Sequence, residues 1–226
     1  MVLGTKESII AAKQFATERY IRSTHPVLYL PLWKRDAGGT NLIRSDDAYG
    51  HIATVTGATW GSQGRTFVAA NSDVITIPDA ASLQLTDLTI ETWAKVTTHK
   101  DWNAMVAKRD AGGTNYQFHS DVTQKLRFFD GTTSISDTPT FSTGVWYHFV
   151  VKVASNLATF YTNGIVGAAN QAVSVNLNDA PLLIGYDGVS AGAYFGGSGG
   201  EIRVYSRALT AGEIQHDYMA TRWRYQ

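Results

Sequence analysis

Trp102 and Asn103 stand in the polar stretch TTHKDWN, an indole beside an amide and a carboxylate. That set suits sugar binding, because the ring stacks on the apolar face of a pyranose while its neighbours bond the hydroxyls. Lys108, Arg109, Asp110 and Tyr116 flank the glycine pair that follows, and His119 closes the run YQFHS, so the same rim can include them. The alternative for Trp102 is a ring that covers the end of a core. A second aromatic group lies in residues 185–200, GYDGVSAGAYFGGSGG, with seven glycines in 16 positions. Tyr186, Asp187, Tyr194 and Phe195 punctuate a backbone too pliable for a regular strand. It reads either as a binding loop or as a loop ordered by a neighbouring subunit.

Hydrolytic chemistry finds little support. Only five glutamates occur, at 7, 18, 91, 201 and 213. A retaining glycosidase needs two carboxyls about 5–5.5 Å apart, and no strand-like run carries a spaced pair. Glu91 shares a strand face with Trp93 and Lys95. It can bind a sugar hydroxyl, but pairing with Lys95 or with backbone groups is the commoner use of such a residue. His148 lies in WYHFVV, apolar on both faces, and reads as a structural histidine. His25, His51, His99 and His216 show no metal-ligand spacing. The chain has no cysteine, which excludes disulfides, zinc–thiolate sites and thiol nucleophiles.

The elements that must carry these residues read as mostly β. The 226 residues are 44% hydrophobic with zero formal net charge, so no basic excess calls for nucleic acid. No apolar run approaches the ~20 residues of a membrane span, and the N-terminus lacks the pattern of a secretory signal. Residues 5–22, free of glycine and proline, read as a helix. Ile9, Ala12, Ala16 and Tyr20 form one stripe, and Phe15 lies off it. From residue 27 the period becomes two. VLYLPLW is an edge strand because of Pro31, and TVTGATW, RTFV, DVITI, LTIETWAKV, NAMVAK, YQFHS, KLRFF, WYHFVVKV, LATFYT, PLLIG and EIRVYS follow as short strands. Asp130-Gly131 and Asn163-Gly164 suit two-residue hairpin turns. Thr210 and Glu213 form a capping box that opens a short helix, with Ile214 and Tyr218 toward the sandwich. The tail ATRWRYQ reads as a strand or extended segment. KRDAGGTN occurs at 34–41 and again at 108–115, and is read as two similar surface loops. The division expected is an arm at 1–24 and one domain at 25–226.

The pieces TIETW, MVAKRD, GVWYHFVV, FYTNGIVG, LLIG and GEIRVYSRALTAGEI, in this order, resemble the laminin G-like, concanavalin A-like jelly roll over about 120 residues. The resemblance implies an all-β, two-sheet antiparallel sandwich with ligand sites on a concave face or a rim. It also implies the chain's departures. Val68 and Ala69 follow Phe67 where relatives carry aspartate-glycine, and Gly200 precedes Glu201 where they carry aspartate. Both positions commonly supply calcium ligands, so calcium is disfavoured and no cofactor is expected. The function expected is non-enzymatic. It is that of a surface or interaction protein of a larger assembly, such as a phage capsid or tail, found on the virion or outside the cell after release. Its partners would be protein neighbours, a homo-oligomer among them, with a glycan as a further partner. The helix stripe Ile9, Ala12, Ala16, Tyr20, together with Phe15, would make the assembly contact. A free lectin is the alternative and a glycoside hydrolase the weakest one.

Overall fold

The computed structural model describes residues 8–13, 15–16, 25–35 and 41–226. Among them lie seventeen strands. The first nine are β1 (Leu28–Pro31), β2 (Leu42–Arg44), β3 (Ile52–Thr56), β4 (Thr59–Gly61), β5 (Gly64–Phe67), β6 (Val74–Ile77), β7 (Leu88–Val96), β8 (Asn103–Asp110) and β9 (Gly113–Ser120). The rest are β10 (Leu126–Phe129), β11 (Ser134–Ser136), β12 (Tyr147–Ala154), β13 (Leu157–Thr162), β14 (Ile165–Val166), β15 (Gln171–Ala172), β16 (Leu182–Ile184) and β17 (Gly197–Tyr205). They form two antiparallel sheets. One runs β14-β13-β12-β7-β17-β5-β4, with β1 on β17 and β15 on β13; the other runs β11-β10-β9-β8-β16-β6-β3-β2.

Alternation explains why the sheets stack. On β7, Leu88, Ile90, Ala94 and Val96 enter the core, while Thr89, Glu91, Trp93 and Lys95 take the opposite face. On β12, Phe149, Val151 and Val153 point inward, and on β9 and β10 Tyr116, Phe118, Leu126 and Phe128 meet them from the other sheet. Each fully buried side chain of this size stabilises by roughly 1.5–3 kcal/mol. Pro31 is tolerated because β1 pairs with β17 alone among the described strands.

The outer face of the first sheet is closed by a helix, Ala211–Thr221. The capping box forms as expected. Thr210 Oγ1 accepts from the Glu213 amide, and a Glu213 carboxyl oxygen accepts from the Thr210 amide at 2.8 Å. Ile214 is fully buried and Tyr218 stacks on Trp93. The tail differs from expectation. It continues as a turn of 3-10 helix, Arg222–Arg224, because Tyr225 turns inward to stack on Trp93 at 4.4 Å. Gly200 makes room for it, since a Cβ there would fall 2.4 Å from a Tyr225 ring carbon.

Asn163-Gly164 does make the tight turn, with φ of 54° and 78° between β13 and β14. Asp130-Gly131 does not; the β10–β11 loop has four residues, held by Asp130 accepting from the amides of Thr132 and Thr133. Residues 8–13 and 15–16 are helical and exposed, with Phe15 at 70%. Tyr20 lies outside the described residues, as do residues 36–40 of the first KRDAGGTN copy. The second copy is a hairpin, β8 turning into β9 through Asp110–Gly113.

Candidate functional site

The outer face of the second sheet carries the candidate site. Along β9, Gln117 and His119 alternate away from the core-facing Tyr116 and Phe118, and along β10 Arg127 and Phe129 do the same. Registers place Arg127 beside His119 and Phe129 beside Gln117. Trp102, in the turn before β8, folds onto this face. Its indole stacks on His119 with centroids 4.8 Å apart and meets the ring of Phe129 edge-on at 5.3 Å. The Arg109 guanidinium packs over both, 5.9 Å from Trp102 and 5.3 Å from Phe129.

Arg109 reaches this face two residues after Ala107, which pairs with Gln117. Its Nη1 donates to Gln117 Oε1 at 3.1 Å and to Asp187 Oδ2 at 3.0 Å. Asp187, fully buried, also accepts from the amides of Val189 and Ser190, which with its bond to Arg109 ties the glycine-rich loop to its own sheet. Arg127 is closed in the same way by Asp121. Burial, reinforced by the positive charge of Arg127, pushes the His119 imidazole down to about 3, so the ring is neutral. Gln117 Nε2 is buried and has no hydrogen-bond partner among the described residues. Trp102 holds a φ of 53°, a left-handed conformation that costs a non-glycine residue roughly 1–2 kcal/mol.

The sequence candidates thus separate. Trp102, Arg109 and His119 come together on the face. Asn103 is fully buried, donating to Ser120 Oγ at 3.1 Å and accepting from the Gly196 amide. Lys108 is buried at the core end and held by Asp79 and the Ala180 carbonyl. Tyr116 is buried with its hydroxyl on the Leu83 carbonyl, and Asp110 accepts from the Gly112 amide in the hairpin. These four support the face from behind or from its turn. Gln117, Arg127 and Phe129 were passed over; the alternation in YQFHS and KLRFF, which sends one set inward and the other out, is the signal that marks them.

A second polar cluster is sealed under the C-terminal helix. Arg203 Nη1 donates to Glu91 Oε2 at 3.0 Å and lies 3.4 Å from Asp217 Oδ2, while Nη2 donates to Glu201 Oε1 at 2.7 Å. Glu91 therefore pairs with Arg203, not Lys95, whose ammonium sits over Trp146. One guanidinium faces three carboxylates, all at most 3% exposed. Burial, then the neighbouring Asp217 carboxylate, pushes Glu91 well above its usual range, while Arg203 opposes them. His148 lies 3.9 Å from Glu91 and is pushed well below its usual range by burial and by Arg203. The cluster has the components of acid–base chemistry without an opening to solvent.

No group of three or more histidine, aspartate or glutamate side chains among the described residues could hold a metal. An aspartate at position 200 would collide with Tyr225. Asp73, the nearest acidic residue to Val68, already accepts from the Val68 amide at 2.8 Å. No described helix is long and apolar enough to cross a membrane.

Among solved structures, Trypanosoma rangeli sialidase in complex with sialic acid superposes with a TM-score of 0.67 at 14% identity, covering 96% of this chain and 38% of that one. The chain spans 33–40% of the length of the sialidase chains it matches. Domain 4 of an extracellular arabinanase from Geobacillus stearothermophilus, in complex with arabinotriose, gives 0.65 at 16% identity, covering 85% of this chain and 98% of that one. The binding domain of Paraclostridial Mosquitocidal Protein 1 gives 0.60 at 18%, covering 86% and 52%. Comparison with curated proteins gave no match. The family profile described as the concanavalin A-like lectin/glucanases superfamily matches residues 69–215, from the 3-10 turn before β6 into the C-terminal helix. With two stacked antiparallel sheets and that match over more than half its length, the chain belongs to the concanavalin A-like lectin/glucanases superfamily.

Proposed function

We propose that this chain is a non-enzymatic carbohydrate-binding protein whose glycan site is the Trp102 face. The observation that carries the reading is the half-buried indole of Trp102, held in a strained backbone conformation and backed by the His119 ring, with Phe129 and Arg109 beside it. A pyranose stacked on the exposed part of the indole would bring its hydroxyls to the polar side chains at the rim of the ring, Arg109 among them. Similarity to a domain solved with arabinotriose supports it at the level of fold. Against catalysis stands the use of the carboxylates. Asp121 and Asp187 are tied to arginines and amides, and Glu91, Glu201 and Asp217 lie under the helix. Trp102→Ala is expected to weaken glycan binding by ~1–3 kcal/mol with the fold intact. A glycan array read with wild type and variant checks it, and an unchanged signal in the variant removes the site.

A second element of the reading concerns attachment. Ile9, Ile10 and Phe15 are 47%, 40% and 70% exposed on helical backbone, apolar surface that suits contact with another chain. The arm would seat the sandwich on a larger assembly, a virion surface being one, or on a second copy of itself, without calcium. Deleting residues 1–24 is expected to leave the melting temperature nearly unchanged while association, read by light scattering, is lost. A much lower melting temperature in the truncated monomer would show the arm to be part of its own core.

A further inference from the structure

We infer that the stacked pair Tyr186–Tyr194 is a second aromatic platform of the same face, and that the ligand is a neutral chain of several sugars. The inference rests on the glycan reading and adds length and charge to it. Tyr186 and Tyr194 face each other across an isolated bridge at the neck of the glycine-rich loop, rings 4.2 Å apart and 10° from parallel. Both are half-buried, so the pair is a preformed surface and not a hydrophobic plug. Its position is fixed. Asp187, next to Tyr186, holds Arg109, and Arg109 packs on Trp102 and Phe129. On the far side, Lys100 Nζ donates to the Gly192 carbonyl at 3.0 Å, and the Phe195 amide bonds the Gly185 carbonyl at 2.8 Å. A loop this rich in glycine would lose much conformational entropy on binding if it were free; these ties remove that cost beforehand.

Charge sets the ligand class. The two arginines of the face each meet an aspartate, Arg109 with Asp187 and Arg127 with Asp121. Each cation is neutralised by its own carboxylate, so neither pair carries a net charge to draw an acidic or a basic ligand. What the face otherwise offers is neutral, the half-buried rings of Trp102 and Phe129 backed by an uncharged His119 imidazole. Two aromatic platforms joined by a closed ion pair suit an uncharged polymer lying across both.

The test titrates the protein with neutral gluco-, xylo- and arabino-oligosaccharides of one to six units, beside sialylated and uronic-acid glycans. Affinity for the neutral series is expected to rise at least tenfold from the disaccharide to the tetrasaccharide. Tyr194→Leu should abolish that rise while leaving short-glycan binding within twofold, Tyr194→Phe should retain it, and Trp102→Ala should weaken every member. Melting temperatures show whether each variant is folded, and Tyr186→Leu repeats the test if Tyr194→Leu is not. A length dependence unchanged in the folded leucine variants overturns the second platform, and a preference for acidic glycans overturns the charge argument; both leave the Trp102 site standing. Wild type that binds no glycan overturns the function proposed above and this inference with it.

Discussion

Arg203→Met is expected to destabilise the domain by about 3–5 kcal/mol, because it leaves three carboxylates sealed under the helix with no cation. At ~2–4 °C per kcal/mol for a chain of this size, the melting temperature should fall by roughly 6–20 °C. Glu91→Gln supplies the contrast. Burial and the Asp217 carboxylate already favour the neutral form of the Glu91 carboxyl, so the neutral amide should change stability by less than about 1 kcal/mol. The two variants also differ in pH dependence. Glu91 has a folded pKa above its ordinary 4.5, so its contribution is fully present below that value and is lost as pH rises through the folded one. His148 has a folded pKa below 6.5, so its contribution is present above 6.5 and is lost as pH falls. Urea unfolding from pH 4 to 9 should show wild type losing stability at both ends, and Glu91→Gln losing less at the alkaline end. An Arg203→Met variant as stable as wild type would contradict the arrangement.

Removing residues 211–226 should prevent cooperative folding altogether. The segment supplies Ile214, Tyr218 and Tyr225, the last two stacked on Trp93, and it brings Asp217 to Arg203. Three large side chains at roughly 1.5–3 kcal/mol each, plus a newly exposed charged face, approach the whole 5–15 kcal/mol of a typical domain. Asp217→Asn, which keeps the packing, should cost far less. Near-ultraviolet circular dichroism and a denaturant curve distinguish the outcomes; a truncated chain with a sharp transition near the wild-type midpoint would show that the helix is dispensable.

The fold was legible wherever the information is local. Thr210 and Glu213 announce a helix start by spacing alone, Asn163-Gly164 announces a turn, and the alternation of LTIETWAKV assigns Leu88 and Ile90 to one face and Glu91 and Trp93 to the other. Asp130-Gly131 looked the same as Asn163-Gly164 but bonds its own loop amides, and so opens a four-residue connection. The partner of Glu91 was not legible, because Arg203 is 112 residues away and adjacent only through β7–β17 pairing. Trp102 and Arg109 were identified by composition, yet Lys108 and Tyr116, equally polar and equally close in sequence, turn the other way. Alternation along β8 from the core residue Val106 decides this, sending Lys108 inward beside Tyr116 and Arg109 outward, a matter of position in the folded sheet, not of residue type. The inward turn of Tyr225 was hidden for the same reason, since it depends on Gly200 lying beneath it.

The placement of β17 in the middle of the first sheet governs how the chain can be made. β17 pairs with β1, β5 and β7, yet about a hundred residues separate the end of β7 at Val96 from the start of β17 at Gly197. At roughly 5–20 residues per second on the ribosome, β7 waits on the order of 5–20 s with an unpaired edge, and β1 and β5, made earlier, wait longer. During that interval Glu91 and Trp93 have neither Arg203 nor the helix over them. Exposed strand edges beside an uncovered aromatic face are the surfaces on which nascent chains aggregate or recruit holding chaperones. A translational pause placed before Gly197 would lengthen this exposure, and a faster passage through residues 97–196 would shorten it. Yield in a heterologous host should therefore follow the speed of that stretch more closely than the stability of the finished domain.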